Sequence, residues 1–154
     1  MDHERWMSAA IDAAREGILA GQSPFGAAIV RGNELVVAAH NVVWATTDPT
    51  AHAEVSCIRQ AAAILGTIDL SGCRMYTTTE PCSMCAAAIH WSKLDDVWFG
   101  ASIADAEKAG FSELHLPIEE IYARGSGVGV HRGLLAARCA DLFQLWKGSA
   151  GRAY

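Results

Sequence analysis

The sequence predicts an α/β fold built on a mixed sheet, and three observations predict it. Two apolar, β-branched runs, Phe25 to Arg31 and Glu34 to Trp44, flank Gly32-Asn33, a two-residue turn signal that reads as a hairpin and starts the sheet antiparallel. Strand and helix patterns then alternate as far as Asp96 to Gly100, the arrangement of parallel crossovers covered by helices. Composition agrees, with 51% hydrophobic and 19% charged residues, near the ordinary globular mix.

Each element has its own signal. Met7, Ile11, Ala14 and Ile18 recur at helical spacing and mark a first amphipathic helix ending between Gly17 and Gly21. After the hairpin, Asp48-Pro49-Thr50 breaks the chain, and Val55, Ile58, Ala62 and Leu65 set a helical stripe that runs to Gly66. Cys73 to Thr78 reads as a short buried strand, Pro81 introduces a helix from Ser83 to Lys93, and Asp96 to Gly100 is the next strand. Beyond it, Ala104 to Ala109 and Pro117 to Ala123 read as short helical turns, and Gly125, Gly127 and Gly129 as a flexible joint. Leu135, Cys139, Leu142 and Trp146 define a last amphipathic helix closed by Lys147-Gly148.

Length and charge bound the function. The 154 residues fit one domain, 1–154, with a C-terminal helical extension from about residue 128. The five cysteines are an odd number scattered through apolar segments, which a disulfide framework does not predict, so Cys57, Cys73 and Cys139 are read as reduced core residues. No secretory signal or membrane-length apolar run is present, and a cytoplasmic protein with no membrane partner is the simplest reading. A formal net charge of −5 offers no general basic face, which disfavours long nucleic acid as a partner.

The chemistry is concentrated in His52-Ala53-Glu54 and Pro81-Cys82-Ser83-Met84-Cys85, which supply three zinc ligands, His52, Cys82 and Cys85, and one carboxylate not needed as a ligand. A structural zinc site is normally closed by four side chains, whereas a catalytic one keeps a position open for water and substrate. Alone, a C-x-x-C pair also suits a redox site or half of a zinc ribbon. His52-x-Glu54 ahead of it, with no second C-x-x-C, points to catalytic Zn2+ in the pattern of the zinc-dependent nucleobase deaminases. Glu54, two residues after a ligand, is placed to take a proton from water and hand it on to a ring nitrogen and a leaving amine. Read without chemistry, it is a first-turn charge favoured by the helix dipole. His40, His90, His115 and His131 lack ligand spacing.

Pro24-Phe25-Gly26-Ala27, Asp48-Pro49-Thr50-Ala51-His52-Ala53-Glu54-Val55 and Glu80-Pro81-Cys82-Ser83-Met84-Cys85 together resemble the cytidine deaminase-like superfamily, in its branch of tRNA adenosine and guanine deaminases, over residues 5–115. The resemblance implies a three-layer α/β/α fold with a five-stranded mixed sheet. Asp105-Ala106-Glu107-Lys108-Ala109-Gly110-Phe111 looks like the guanine deaminases. That likeness implies that Asn41 hydrogen-bonds the base, that Phe25 and Trp91 line its faces, and that Ala53 offers a backbone contact. The family carries an aspartate two residues after Gly-Phe, gripping the amino and imino edge of guanine and helping to move protons. This chain has Glu113 there, which keeps the acceptor pair but moves it by more than an ångström.

The implied reaction is hydrolysis of guanine to xanthine and ammonia on zinc, with Glu54 and Glu113 as the catalytic carboxylates. Isocytosine, ammeline and guanosine present a related edge. A tRNA adenosine deaminase acting on a flipped base is the rival enzyme, and a noncatalytic zinc-stabilised interaction module the rival of another class. The resemblance also implies a homodimer and a closing C-terminal segment. His131 to Tyr154 departs from the family by being longer and helical; Trp146 is read as packing, and Tyr154 as either lid or tail.

Overall fold

The computed structural model describes residues 1–154. Helix α1 (His3–Leu19) is followed by the hairpin β1 (Gly26–Arg31) and β2 (Glu34–His40), the short α2 (Val43–Thr46) and α3 (Ala53–Leu65). Then come β3 (Cys73–Thr79), α4 (Ser83–Trp91), β4 (Asp96–Ala101), α5 (Ile103–Ala109), α6 (Ile118–Tyr122), β5 (Gly129–Arg132) and α7 (Ala136–Gly148). The five strands lie in the order β2-β1-β3-β4-β5. β1 runs antiparallel to β2 and β3, while β3, β4 and β5 are parallel.

Alternation along the strands explains the layers. Ala28 and Val30 of β1 and Tyr76 of β3 face one core, with α1, Phe111 and Cys139, Leu142, Phe143 and Trp146 of α7. Ala27 and Ile29, with Cys73 and Met75, face the other, where Ala53, Cys57 and Ala61 of α3 meet Ile89 of α4 and Ile118 and Tyr122 of α6. The period of two in a strand sorts neighbouring residues to opposite faces, giving the expected three-layer α/β/α fold. Helix α1 packs so closely on β1 that a Cβ at Gly26 would collide with the Ala10 carbonyl. No helix is long and apolar enough to cross a membrane.

Two expectations change. The run from Glu34 does not continue as a strand to Trp44: the Asn41 side-chain oxygen accepts from Val43 N at 3.0 Å, an Asx turn that ends β2 and starts α2. The glycine-rich stretch at 125–129 is not simply a joint, because Gly129–Arg132 pairs in parallel with Asp96–Phe99 as the edge strand. Four residues of the C-terminal helix, Cys139, Leu142, Phe143 and Trp146, belong to the core with α1.

Candidate active site

The site forms where one end of the sheet meets two helix N-termini. The β1–β2 and β1–β3 registers pair Gly26 with His40 and Ala27 with Thr77, so Phe25, Asn41 and the Thr79-Glu80 end of β3 come together. In open α/β sheets, ligands bind outside the carboxyl ends of the strands. His52 is the N-cap of α3 and Cys82 that of α4, and neither side chain makes the usual capping hydrogen bond. Both cap positions instead present metal donors, beside backbone N–H groups that favour negative charge. Cys85, in the first turn of α4, is fully buried.

The donor spacing fits zinc. His52 Nδ1 stands 3.6 Å from the sulfur of Cys82 and 3.6 Å from that of Cys85. All three donor atoms lie within 4.8 Å of one another. A tetrahedral zinc with bonds of about 2.3 Å to sulfur and about 2.0 Å to nitrogen holds such atoms about 3.5 Å apart. Two thiolates and an imidazole are also the ligand types this ion prefers. The Cys85 thiol, then burial and His52, set Cys82: hydrogen bonds outweigh burial and hold it down at about 4. Cys85, donating to Cys82 and buried, is pushed well above the usual thiol range. Metal binding at such a pair is coupled to loss of that proton.

Glu54 lies in the first turn of α3 and is buried. Thr77 Oγ1 donates to its Oε1 at 2.8 Å, and it does not appear among the metal-spaced donors. Burial pushes Glu54 above the usual carboxylate range, against the opposing charge of His52 and the hydrogen bonds from Cys85 and Thr77. A cavity is lined by Phe25, His52, Glu54 and Cys82 together with Phe111, Glu113 and Tyr154. Glu113 is pushed up to about 7, by burial first and then by the charge of Cys82. The second carboxylate thus faces the same space as the metal donors and Glu54.

Asn41 is fully buried, with its oxygen held by Val43 N and its Nδ2 donating to the Tyr154 hydroxyl at 2.6 Å. Tyr154 reaches the site because the tail folds back: Ser112 N donates to Tyr154 O at 3.3 Å, and the ring meets Phe111 edge-on at 5.3 Å. Phe25 packs edge-to-face on Phe111 with centroids 4.9 Å apart. Ala53, at the first position of α3, is buried against the sheet.

Within one chain, Trp91 does not line this cavity. It ends α4, nine residues past Cys82, so it lies about 13 Å along the helix from the metal end, and it is 79% exposed. Trp146 packs in the core as expected. Thr77 carries no local signal in the sequence, being the first of three consecutive threonines that end β3. Phe111 and Tyr154 had only motif or tail status, because their neighbours at the site are far away in sequence.

Residues 1–101 match the family described as the cytidine and deoxycytidylate deaminase zinc-binding region. The guanine deaminase of Bacillus subtilis (strain 168) is 42% identical over 127 residues, covering 78% of this chain and 81% of that one. The tRNA-specific adenosine deaminase of Aquifex aeolicus (strain VF5) is 41% identical over 101 residues, covering 66% and 67%. A solved guanine deaminase structure from Nitrosomonas europaea superposes with a TM-score of 0.87 at 30% identity, over 95% of this chain and 85% of that one. The zinc-spaced donors, the adjoining carboxylate and these matches place the chain in the cytidine and deoxycytidylate deaminase family, as a zinc-dependent hydrolytic deaminase with guanine deaminases among its homologues.

Proposed function

We propose that the chain deaminates free guanine to xanthine and ammonia. The observation that carries this reading is Glu113, a second carboxylate lining the cavity of His52, Cys82 and Glu54. Guanine offers two adjacent donors, N1–H and the 2-amino group, and an ionised carboxylate is an acceptor with two oxygens to receive them. Adenine and cytosine place an acceptor nitrogen beside their amino group, which would leave one Glu113 oxygen facing a lone pair. Sites that hydrogen-bond one edge reject analogues lacking it because buried groups are then left unpaired.

Asn41 completes the orientation. Its oxygen is occupied by Val43 N and one Nδ2 hydrogen by the Tyr154 hydroxyl, so the second Nδ2 hydrogen is the donor left for an acceptor atom of the base. Phe25 and Phe111 give the ring apolar neighbours, and Ala53 offers its backbone at the start of α3.

Zinc held by His52, Cys82 and Cys85 supplies a Lewis acid that turns water into a nucleophile near neutral pH. Glu54 does the proton work. It takes a proton from the attacking water and passes it to ring N3 as oxygen bonds to C2. It then carries the proton of the new C2 hydroxyl to the 2-amino group as the C2–N bond breaks and the C2=O bond forms, so guanine and water become xanthine and ammonia. Its raised affinity for protons, caused by burial, suits a group that must hold one between these steps.

A second reading, deamination of adenosine in tRNA, is supported by the 41% identity to the Aquifex aeolicus enzyme. Against it stand the net charge of −5 and a tail that brings Tyr154 over the cavity. The two separate in one experiment. Zinc-loaded protein should convert guanine to xanthine, followed by ultraviolet absorbance, and leave adenosine in tRNA unchanged at low salt. Inosine formation in tRNA without guanine turnover would replace the first reading by the second.

A further inference from the structure

We propose that Glu80 and Arg132 are positioning residues for base recognition: an ion pair between a buried carboxylate and a half-exposed arginine that fixes both ends of the segment carrying Phe111 and Glu113 to the metal-binding loop. The inference rests on the reading that Glu113 receives the base.

Glu80 directly precedes Pro81 and Cys82, and its side chain is only 4% exposed. Its Oε1 accepts from Ile103 N at 3.4 Å and from Arg132 Nη1 at 3.0 Å. Its Oε2 accepts from Ile118 N at 3.2 Å and from Arg132 Nη2 at 3.1 Å. The backbone is tied too, Glu80 N donating to Ala101 O at 2.8 Å. Ile103 is the first residue of α5 and Ile118 the first of α6. One carboxylate therefore holds both ends of a loop that delivers Phe111 and Glu113 to the cavity, two residues away from a metal ligand.

Glu80 borders the cavity but is not free to serve the base. A carboxylate has about four lone-pair sites, and here four donors occupy them. Arg132 ends β5 and does not line the cavity at all. Its guanidinium lies over the Phe99 ring, 4.8 Å from the centroid, and is held from the solvent side by Glu119, with Nε donating at 2.9 Å and Nη2 at 2.7 Å. Paired parallel N–H···O bonds fix direction as well as distance. With its arginine half exposed the pair adds little net stability, whereas its forked geometry is demanding. Its consequence at this place is geometric: movement of the Ile103 or Ile118 anchor moves Glu113 relative to the zinc donors.

The test measures guanine affinity on zinc-loaded protein carrying Glu54→Gln, so that the base is bound without turnover. Arg132→Met should weaken guanine by about tenfold or more, since displacement of a positioned group by about an ångström can cost up to a hundredfold. Once Glu113→Ala is also present, the same substitution should cost less than about twofold, because its route to the base is gone. Glu80→Gln with Arg132→Met removes both charges and repeats the test if the single variant, with an unpaired buried carboxylate, fails to fold. Arg132→Lys, which keeps charge but not the fork, should fall between wild type and Arg132→Met. Equal losses with and without Glu113, unchanged affinity, or loss of zinc from the Arg132 variants would overturn the proposal. Failure of the underlying reading shows on a separate arm: Glu113→Ala alone would leave guanine affinity unchanged.

Discussion

The metal face and the recognition rim of this site are built in opposite ways. His52, Glu54, Cys82 and Cys85 come from the first turns of two helices, and short local spacings are enough to aim their donor atoms at one point. The rim draws Phe25, Asn41, Phe111, Glu113 and Tyr154 from loops and the C-terminal tail, and only tertiary structure brings them together. The difference teaches where reaction and substrate are encoded. On the proposed reading, helix starts carry the hydrolytic chemistry, while the loops that bring Phe111 and Glu113 to the cavity select the ring.

The sharpest way to break this comparison is at the metal face. Cys82→Ala should remove zinc, read by metal analysis, and abolish turnover, because two remaining ligands do not make the site. Glu54→Gln should keep zinc yet lower kcat by about a hundredfold to ten-thousandfold, the usual share of a positioned general acid and base. Turnover near wild type in that variant would move the proton work elsewhere.

The rim should respond more gently and through affinity. Glu113 is pushed up to about 7, so it is ionised above that pH and protonated below it. Guanine affinity should therefore fall as pH drops through about 7, and Glu113→Gln should flatten this profile in a binding titration. The stability sign is opposite to that of a salt-bridged carboxylate. The folded state binds this proton more readily than the unfolded chain between the usual carboxylate value and about 7, so stability from this group decreases as pH rises across that window. Tyr154→Phe deletes the 2.6 Å bond to Asn41 and should raise KM for guanine by about fivefold, the worth of one neutral hydrogen bond. Trp91→Ala should change kcat/KM by less than about twofold, as for other surface positions away from the cavity. A large loss there would place Trp91 at a site formed with a second chain.

Much of the first region was legible in the sequence, because a ligand set with fixed spacing at a helix start is local information. The α/β order was legible for the same reason: the hairpin turn and the three helical stripes each announce themselves within a short window. Gly129–Arg132 escaped because a four-residue edge strand with a glycine at its start has no periodicity to show. The end of β2 escaped because Asn41 stops it through a side-chain bond to Val43 N, which competes with strand propensity. Tyr154 could not be assigned from spacing, since its partner Asn41 lies 113 residues earlier. Trp91 was named through family likeness, yet helix length alone carries it away from the metal end.

The most direct test is ammonia release by the zinc-loaded protein from guanine, isocytosine, ammeline, guanosine, adenine, cytosine and cytidine, each measured with wild type and with Glu113→Ala. Guanine should be the preferred substrate of the wild type, and its advantage should collapse in the variant while bound zinc is unchanged. Release from cytosine or cytidine alone, or a guanine preference untouched by loss of Glu113, would contradict the division of labour between the two regions.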